Sequence, residues 1–488
     1  MFTVFLTSGL FLGWSLGAND AAHVFGPAVG ARMISFKKAA VLCGIFVILG
    51  SVISGAGAAE TLGELGAINA AGGAFVVALA AAITLYWLTV LGYPVSSTQA
   101  IVGAIIGWNL FAGTEIDYQS LVRIALSWMV SPVLAGIVSV ILYKLIAFIV
   151  MRSNIHMFKL DALTRYGLVL AGIFGSYSLG ANNIANVVGV FVPVSPFQDL
   201  NIFGLFKLTA AQQLFFLGAI AVAVGTITYG KKVMLTVGEG ITDLLPVAAL
   251  VAVFANALVL FLFASKDLEY FLIQHGIPPI PLVPVSSSQA IVGSVVGIGL
   301  LRGGRAIRWP VLAKIVGAWS VTPVIAIAIS FFSLFIVQNV FQQRVYVPIK
   351  YALTTEVIQK IEKQGVSTAP FSRLKNRSFA NASSFDRELA PYIKKTGHER
   401  VIIMGAAQVA RLQVSSDRIR KMRERWFTPG QIEAVESLKG QTFNHYWKLD
   451  DALAAFSPEW RMRDAKWEKE YNEELRRKLT YLHRLFYY

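Results

Sequence analysis

GYPVSSTQAIVGAIIG, residues 92–107, returns as LVPVSSSQAIVGSVVG, residues 282–297, which sets Pro94 and Pro284 190 positions apart. Two more pairs keep the same order. Gly17-Ala18-Asn19-Asp20 is echoed by Gly180-Ala181-Asn182-Asn183, 163 positions on, and Trp128-Met129-Val130-Ser131-Pro132 by Trp319-Ser320-Val321-Thr322-Pro323. Three ordered pairs make the first two thirds of the chain a duplication.

Each motif lies in apolar sequence. The runs 74–90, 124–150, 244–264 and 311–337 are long enough to cross a hydrocarbon core of about 30 Å, for which a helix needs roughly 20 residues. The whole chain of 488 residues is 55% hydrophobic and 15% charged, with a mean hydropathy of +0.60. No comparable run follows Gln338. The reading is an all-α polytopic membrane protein with repeats at 1–160 and 161–340 and a small, basic, mostly helical soluble tail at 341–488. Each half shows five apolar segments, including a broken span at the Gly-Ala-Asn motif and a re-entrant or half-helix hairpin at PVSS. An odd count gives the two repeats opposite, inverted topologies. Loop charges agree: Arg32, Lys37 and Lys38 fall inside, Glu115 and Asp117 outside, and Arg152, Lys159 and Arg165 inside. Both termini are then expected outside.

The tail holds 27 Lys and Arg against 17 Asp and Glu, ten of the fifteen net positive charges. Tethered to a bilayer, such a tail lies near anionic lipid or stays solvated, and nucleic acid is not the expected partner. Cys43, the single cysteine, excludes an intrachain disulfide framework. No basic n-region precedes the first apolar run, so no cleavable signal peptide is expected. No GxxxxGK[ST] sequence is present, which argues against an ATP-driven pump.

Asp20 is the charged residue placed deep in an apolar run. A carboxylate at membrane depth is costly unless it meets a cation, water or hydrogen-bond donors, so it is a functional candidate by default. The glycines around it suit an unwound segment whose free carbonyls, with Asn19, join the carboxylate around a small hard cation. Asn182, Asn183 and Asn186 offer a matching oxygen-rich segment. The competing reading is that these small residues serve close helix packing. In the PVSS segments, Ser96, Ser97 and Thr98 and their partners Ser286, Ser287 and Ser288 read as N-caps of the following helices. Two facing helix N-termini with hydroxyl donors make an anion site that holds and still releases an oxyanion; ordinary capping is the bland alternative. His23 is a candidate coupling group or a packed histidine, and Glu60 a gate residue or a surface carboxylate.

At these residues the sequence resembles the inorganic phosphate transporter family, which includes sodium- and proton-coupled phosphate symporters. That family carries a GAND-x-x-N motif early in each half and a PVS-[ST]-[ST]-H-like motif later; here they read GANDAAH, GANNIAN, PVSSTQ and PVSSSQ, and the likeness covers about residues 1–338. The resemblance implies that Gly17, Asn19, Asp20, Gly180, Asn182 and Asn183 form cation sites and that Ser96, Ser97, Thr98, Gln99, Ser286, Ser287, Ser288 and Gln289 cradle phosphate. His23 stands where the family motif commonly has asparagine, Asn183 where it has aspartate, and Gln99 and Gln289 where it has histidine, so sulfate stays an alternative substrate. The expectation is a secondary importer of inorganic phosphate, not an enzyme, with Na+ or H+ as coupling ion and no cofactor. A homodimer is left open, and an anion channel and a membrane sensor are the rivals from other classes.

In the tail, helices are expected at 354–363, 416–426 and 429–438, a short strand at 401–404, and a long helix from Ser457-Pro458-Glu459 to about Leu485.

Overall fold

The structure, a computed structural model, describes residues 2–65, 68–91, 95–114, 116–153, 155–202, 206–231, 234, 245–305, 307–393, 398–420, 422, 426–463 and 469–488. It divides into two compact units, one of residues 1–112, 116–197 and 208–347, the other of 113–115, 198–207 and 348–488.

The first unit is helical throughout. Its first half runs α1 (Phe2–Asn19), α2 (Ala21–Gly30), α3 (Phe36–Ser54), α4 (Ala56–Leu65), α5 (Ala71–Val90), α6 (Ser97–Ala112) and α7 (Tyr118–Arg152). The second half runs α8 (Met157–Val188), a 3₁₀ turn at Gly189–Val194, α9 (Ala210–Thr228), α10 (Pro246–Leu262), α11 (Lys266–Gln274), α12 (Ser287–Leu301) and α13 (Trp309–Asn339). Among the described residues six helices are long and apolar enough to span a bilayer, or seven if α10 and α11, bent by 67°, form one broken span. That is fewer than five per half: α6 and α12, at 16 and 15 residues, are too short to cross and are half-helices, and α1, which ends at Asn19, is not among the helices that qualify. Met129, Val133, Ile137, Ile141 and Leu145, four residues apart along α7, are all exposed, an apolar stripe suited to lipid. This is an integral, multi-pass membrane protein.

The expected unwinding at the Gly-Ala-Asn motifs is not found. Asp20 interrupts the helix between α1 and α2 but keeps helical angles (φ −78°, ψ −34°), and its N–H still donates to the Leu16 carbonyl at 2.6 Å. In the second copy α8 runs through the motif without a break. The glycines serve close approach instead. A Cβ on Gly17 would overlap the Val222 carbonyl of α9, and one on Gly180 would overlap the Val47 carbonyl of α3. Hydroxyls then cross the same seams: Thr226 Oγ1 donates to the Gly17 carbonyl at 3.3 Å and Ser51 Oγ to the Gly180 carbonyl at 3.2 Å. The PVSS helices repeat the device. Gly103 of α6 meets the Pro323 carbonyl of α13, and Gly293 of α12 meets the Pro132 carbonyl of α7. Here Ser330 Oγ donates to the Ala104 carbonyl at 2.8 Å and Ser139 Oγ to the Ser294 carbonyl at 2.9 Å. Every such contact joins one half to the other, and each occurs twice with the roles exchanged.

The second unit holds a duplication of its own. Its first module is β3 (Lys350–Ala352), α14 (Thr355–Lys363), a 3₁₀ turn at Ala369–Leu374, β4 (Ser378–Phe379), α15 (Ala382–Leu389), α16 (His398–Ala407) and β5 (Gln408–Val409), numbered after the hairpin β1 (Leu200–Ile202) and β2 (Phe206–Leu208). The second is β6 (Leu412–Gln413), α17 (Ser416–Ile419), α18 (Pro429–Ser437), β7 (Thr442–Phe443), α19 (Tyr446–Phe456) and α20 (Lys469–Phe486). The pairings match: Tyr351↔Phe379 and Ala352↔Ser378 in one, Leu412↔Phe443 and Gln413↔Thr442 in the other. A third strand joins each, Tyr351↔Gln408 in the first and a Leu412↔Tyr487 bridge in the second. Asn376 (φ 64°) and Gly440 (φ 86°) take the same left-handed turn and donate to the carbonyls of Leu353 and Val414 at 2.7 Å each. Asp386 pairs with Arg400 where Asp450 pairs with His483. Each module has its own apolar core, around Phe371 and Phe385 in the first and around Trp426, Trp460 and Leu482 in the second.

Three expectations for the tail change. Residues 401–404 lie in α16, where Arg400, Ile403, Ala406 and Ala407 are buried at helical spacing. The helix expected over 416–426 is described only over Ser416–Ile419. Ser457 caps a single 3₁₀ turn, Pro458–Trp460, rather than a long helix, which starts again as α20 at Lys469.

Candidate substrate and ion site

Asp20 is buried, and its two oxygens are divided among three side chains. Asn19 Nδ2 donates to Oδ1 at 3.0 Å, while Ser97 Oγ and Asn183 Nδ2 donate to Oδ2 at 2.6 and 3.4 Å. His23 Nε2 lies 4.0 Å from Oδ1. The residues expected to serve a cation and those expected to serve an anion therefore meet at one carboxylate. Among the described residues no three His, Cys, Asp or Glu side chains come together, so a cation here would rest on one carboxylate and amide oxygens.

The frame around Asp20 is symmetric. Asn19 Nδ2 also donates to the Val95 carbonyl at 3.0 Å; Asn182 Nδ2 donates to the Val285 carbonyl and to Asn183 Oδ1, both at 2.7 Å. These bonds fix the amide orientations, and they leave Asn19 Oδ1 buried with no partner. Val285 N–H closes the loop by donating to Asn182 Oδ1 at 3.2 Å.

The half-helices point their N-termini into this frame. Ser96 and Ser286 act as the caps, accepting from the Gln99 and Gln289 N–H groups at 3.2 and 3.3 Å. Ser97 donates to Asp20, and the Ser287 hydroxyl, buried without a hydrogen-bond partner, lies close enough to act on the same carboxylate. Thr98 Oγ1 accepts from Asn186 Nδ2 at 2.9 Å and donates to the Val285 carbonyl at 3.4 Å, whereas Ser288 Oγ bonds Ser286 Oγ at 3.0 Å. The side-chain oxygens of Gln99 and Gln289 are buried and unpartnered. Of the eight residues expected to cradle an anion, Ser97 and Ser287 are the hydroxyls turned to the centre.

Residues 16–330, and in a second overlapping match 279–432, match the phosphate transporter family. The chain belongs to that family. Similar proteins provisionally named phosphate permeases occur in Methanocaldococcus jannaschii (28% identical, covering 67% of this chain and 94% of that one) and Pyrococcus abyssi (27%, 67% and 95%). One in Haemophilus influenzae is 27% identical over 64% of this chain and 91% of its own. A solved structure titled as the sodium-dependent phosphate transporter superposes with a TM-score of 0.55 at 24% identity, over 69% of this chain and 98% of that one, a likeness of fold.

In this member of the phosphate transporter family the carbonyls of Gly17 and Gly180 are engaged by Thr226 and Ser51, not left free for a cation. Glu60 belongs to α4, and its side chain lies outside the described residues, as does Pro94. Val95 and Val285, whose carbonyls anchor the frame, carry no sequence signal because a backbone oxygen leaves none. Asn256 was also missed: it is fully buried on α10, both amide atoms lack a partner, and an isolated Asn in an apolar run was the signal available.

Proposed function

We propose that this chain is a secondary active importer of inorganic phosphate, driven by a sodium or proton gradient and working by alternating access of two inverted halves, 1–160 and 161–340. The observation that carries the reading is the Asp20 carboxylate accepting from Ser97 at the N-terminus of α6. A cation held by Asp20, Asn19 and Asn183 neutralises that carboxylate and releases the Ser97 hydroxyl. Ser97, Ser287 and the free backbone N–H groups of α6 and α12 then accept an oxyanion. Cation binding thus prepares the anion site, which is what symport requires. The anion site, built from hydroxyls and backbone N–H groups, holds no fixed charge that would trap the substrate.

The test is uptake by purified protein in liposomes under imposed sodium or proton gradients, with phosphate and sulfate compared. Phosphate accumulation above equilibrium under one gradient is expected. Equilibration without accumulation would identify a channel, and preferred sulfate uptake would reassign the substrate.

A further inference from the structure

Many of the bonds at the site have a mate in the other half. The bonds of the frame occur twice: Asn19 to Val95 and Asn182 to Val285, Gln99 to Ser96 and Gln289 to Ser286. Among the bonds that occur once is a chain that crosses between the halves. Asn186 Nδ2 donates to Thr98 Oγ1, which donates to the Val285 carbonyl, linking α8 and α6 to the residues before α12. The mates of Asn186, Thr98 and Val285 are His23, Ser288 and Val95. There the chain is open: neither ring nitrogen of the buried His23 makes a hydrogen bond, Nε2 lying 4.0 Å from Asp20 Oδ1, and Ser288 has turned to Ser286. Burying an imidazole with neither nitrogen bonded is costly, so a state that supplies its partners is called for. In carriers built from inverted repeats, the halves rock against each other around a fixed site, and the two access states exchange the halves' roles.

We propose that Asn186–Thr98–Val285 and His23–Ser288–Val95 are alternating gates. The first is closed in the state described here; the second closes in the opposite access state, with His23 bonding Ser288 and the Ser288 hydroxyl reaching the Val95 carbonyl. His23 and Ser288 are then positioning residues for the second state rather than substrate ligands. This rests on the alternating-access reading above.

The experiment measures the phosphate KM from each face of the bilayer, using protein reconstituted in one orientation. Thr98→Ala removes both bonds of the first gate that its hydroxyl makes and shifts the population toward the opposite state, so KM rises on one face and falls on the other, and the ratio of the two changes by about fivefold or more. Ser288→Ala is expected to shift both values the opposite way, and the double variant to return them toward wild type. Thr98→Ser keeps the hydroxyl and restores wild-type values. His23→Asn, which copies Asn186, shifts KM in the sense of Thr98→Ala. Shifts of the same sign on both faces for Thr98→Ala and Ser288→Ala overturn the gates while leaving the transporter standing. Wild-type protein that accumulates no phosphate under either gradient overturns the transporter reading and the gates with it.

Discussion

The chain contains two duplications that were put to opposite uses. In the membrane unit each half lends its helices to the other: α1 packs on α9, α3 on α8, α6 on α13 and α7 on α12. In the second unit the two modules keep separate cores, one on each side of residue 410. Interleaving brings the polar motifs of both halves onto a shared seam at Asp20. The modules of the second unit bury mostly apolar side chains, with Arg400, Gln431 and Lys478 among the buried polar ones, and ion pairs such as Lys360–Asp451 and Lys448–Glu356 link the two. The difference is one of where the apolar cores are built, between the copies in the membrane unit and within each copy in the second.

The sharpest way to break that contrast is Asp20→Asn. Because one carboxylate serves both halves, its loss should lower gradient-driven phosphate uptake by about a hundredfold or more, measured in liposomes. Retained cation-dependent uptake would show that the halves do not share this group. Phe385→Ala probes the other side of the comparison. Emptying the first module's core should cost about 3–5 kcal/mol, and hydrogen exchange should quicken over 349–409 but not over 410–488. Equal quickening in both modules would mean that they are not separate. Replacing Ser97 and Ser287 together with Ala should raise the KM for phosphate about tenfold, since each hydroxyl comes from a different half. An unchanged KM would return both residues to simple capping.

The smallest effect concerns pH. Burial, more than any other cause, holds the His445 imidazole below its usual pKa, with the Lys448 charge adding to it and a bond to the Gln408 carbonyl opposing. The unfolded chain therefore binds the proton more readily, so the second module should lose stability as pH falls through about 6.5, the unfolded value. The first module carries Asn381 at the equivalent cap, bonded to Ser384 N–H at 2.8 Å, and should not show that slope. His445→Asn is expected to remove the slope from the second module, as followed by hydrogen exchange between pH 7 and 5. A slope that survives the substitution would mean that His445 is not its source.

Much of the membrane unit was legible because its signals are local. The repeat shows as identical letters, the half-helices as proline and serine before short apolar runs, and Asp20 as a charge without an excuse. The glycines were legible as residues but misread as unwinding points, since the same absence of a side chain serves a broken helix and a close crossing alike. Only the neighbour's carbonyl, Val222 for Gly17 and Val47 for Gly180, decides between them. The second duplication escaped notice because it survives in few letters, among them Leu374-Lys375-Asn376-Arg377-Ser378-Phe379 against Leu438-Lys439-Gly440-Gln441-Thr442-Phe443. Of these, Leu374 and Leu438 are buried and Asn376 and Gly440 take the left-handed turn that the backbone requires.

By itself, then, the sequence determined the membrane character, the duplicated halves, the capped half-helices and the residue types able to meet a cation and an oxyanion, all of which follow from hydropathy, spacing and local hydrogen-bonding chemistry. What only the tertiary structure decided was that both motif types converge on Asp20, that Asn183 rather than a second carboxylate faces it, and that one cross-half chain of bonds is closed while its mate is open. Those are properties of partners far apart in the chain, and no local pattern encodes which carbonyl or hydroxyl a buried side chain will find.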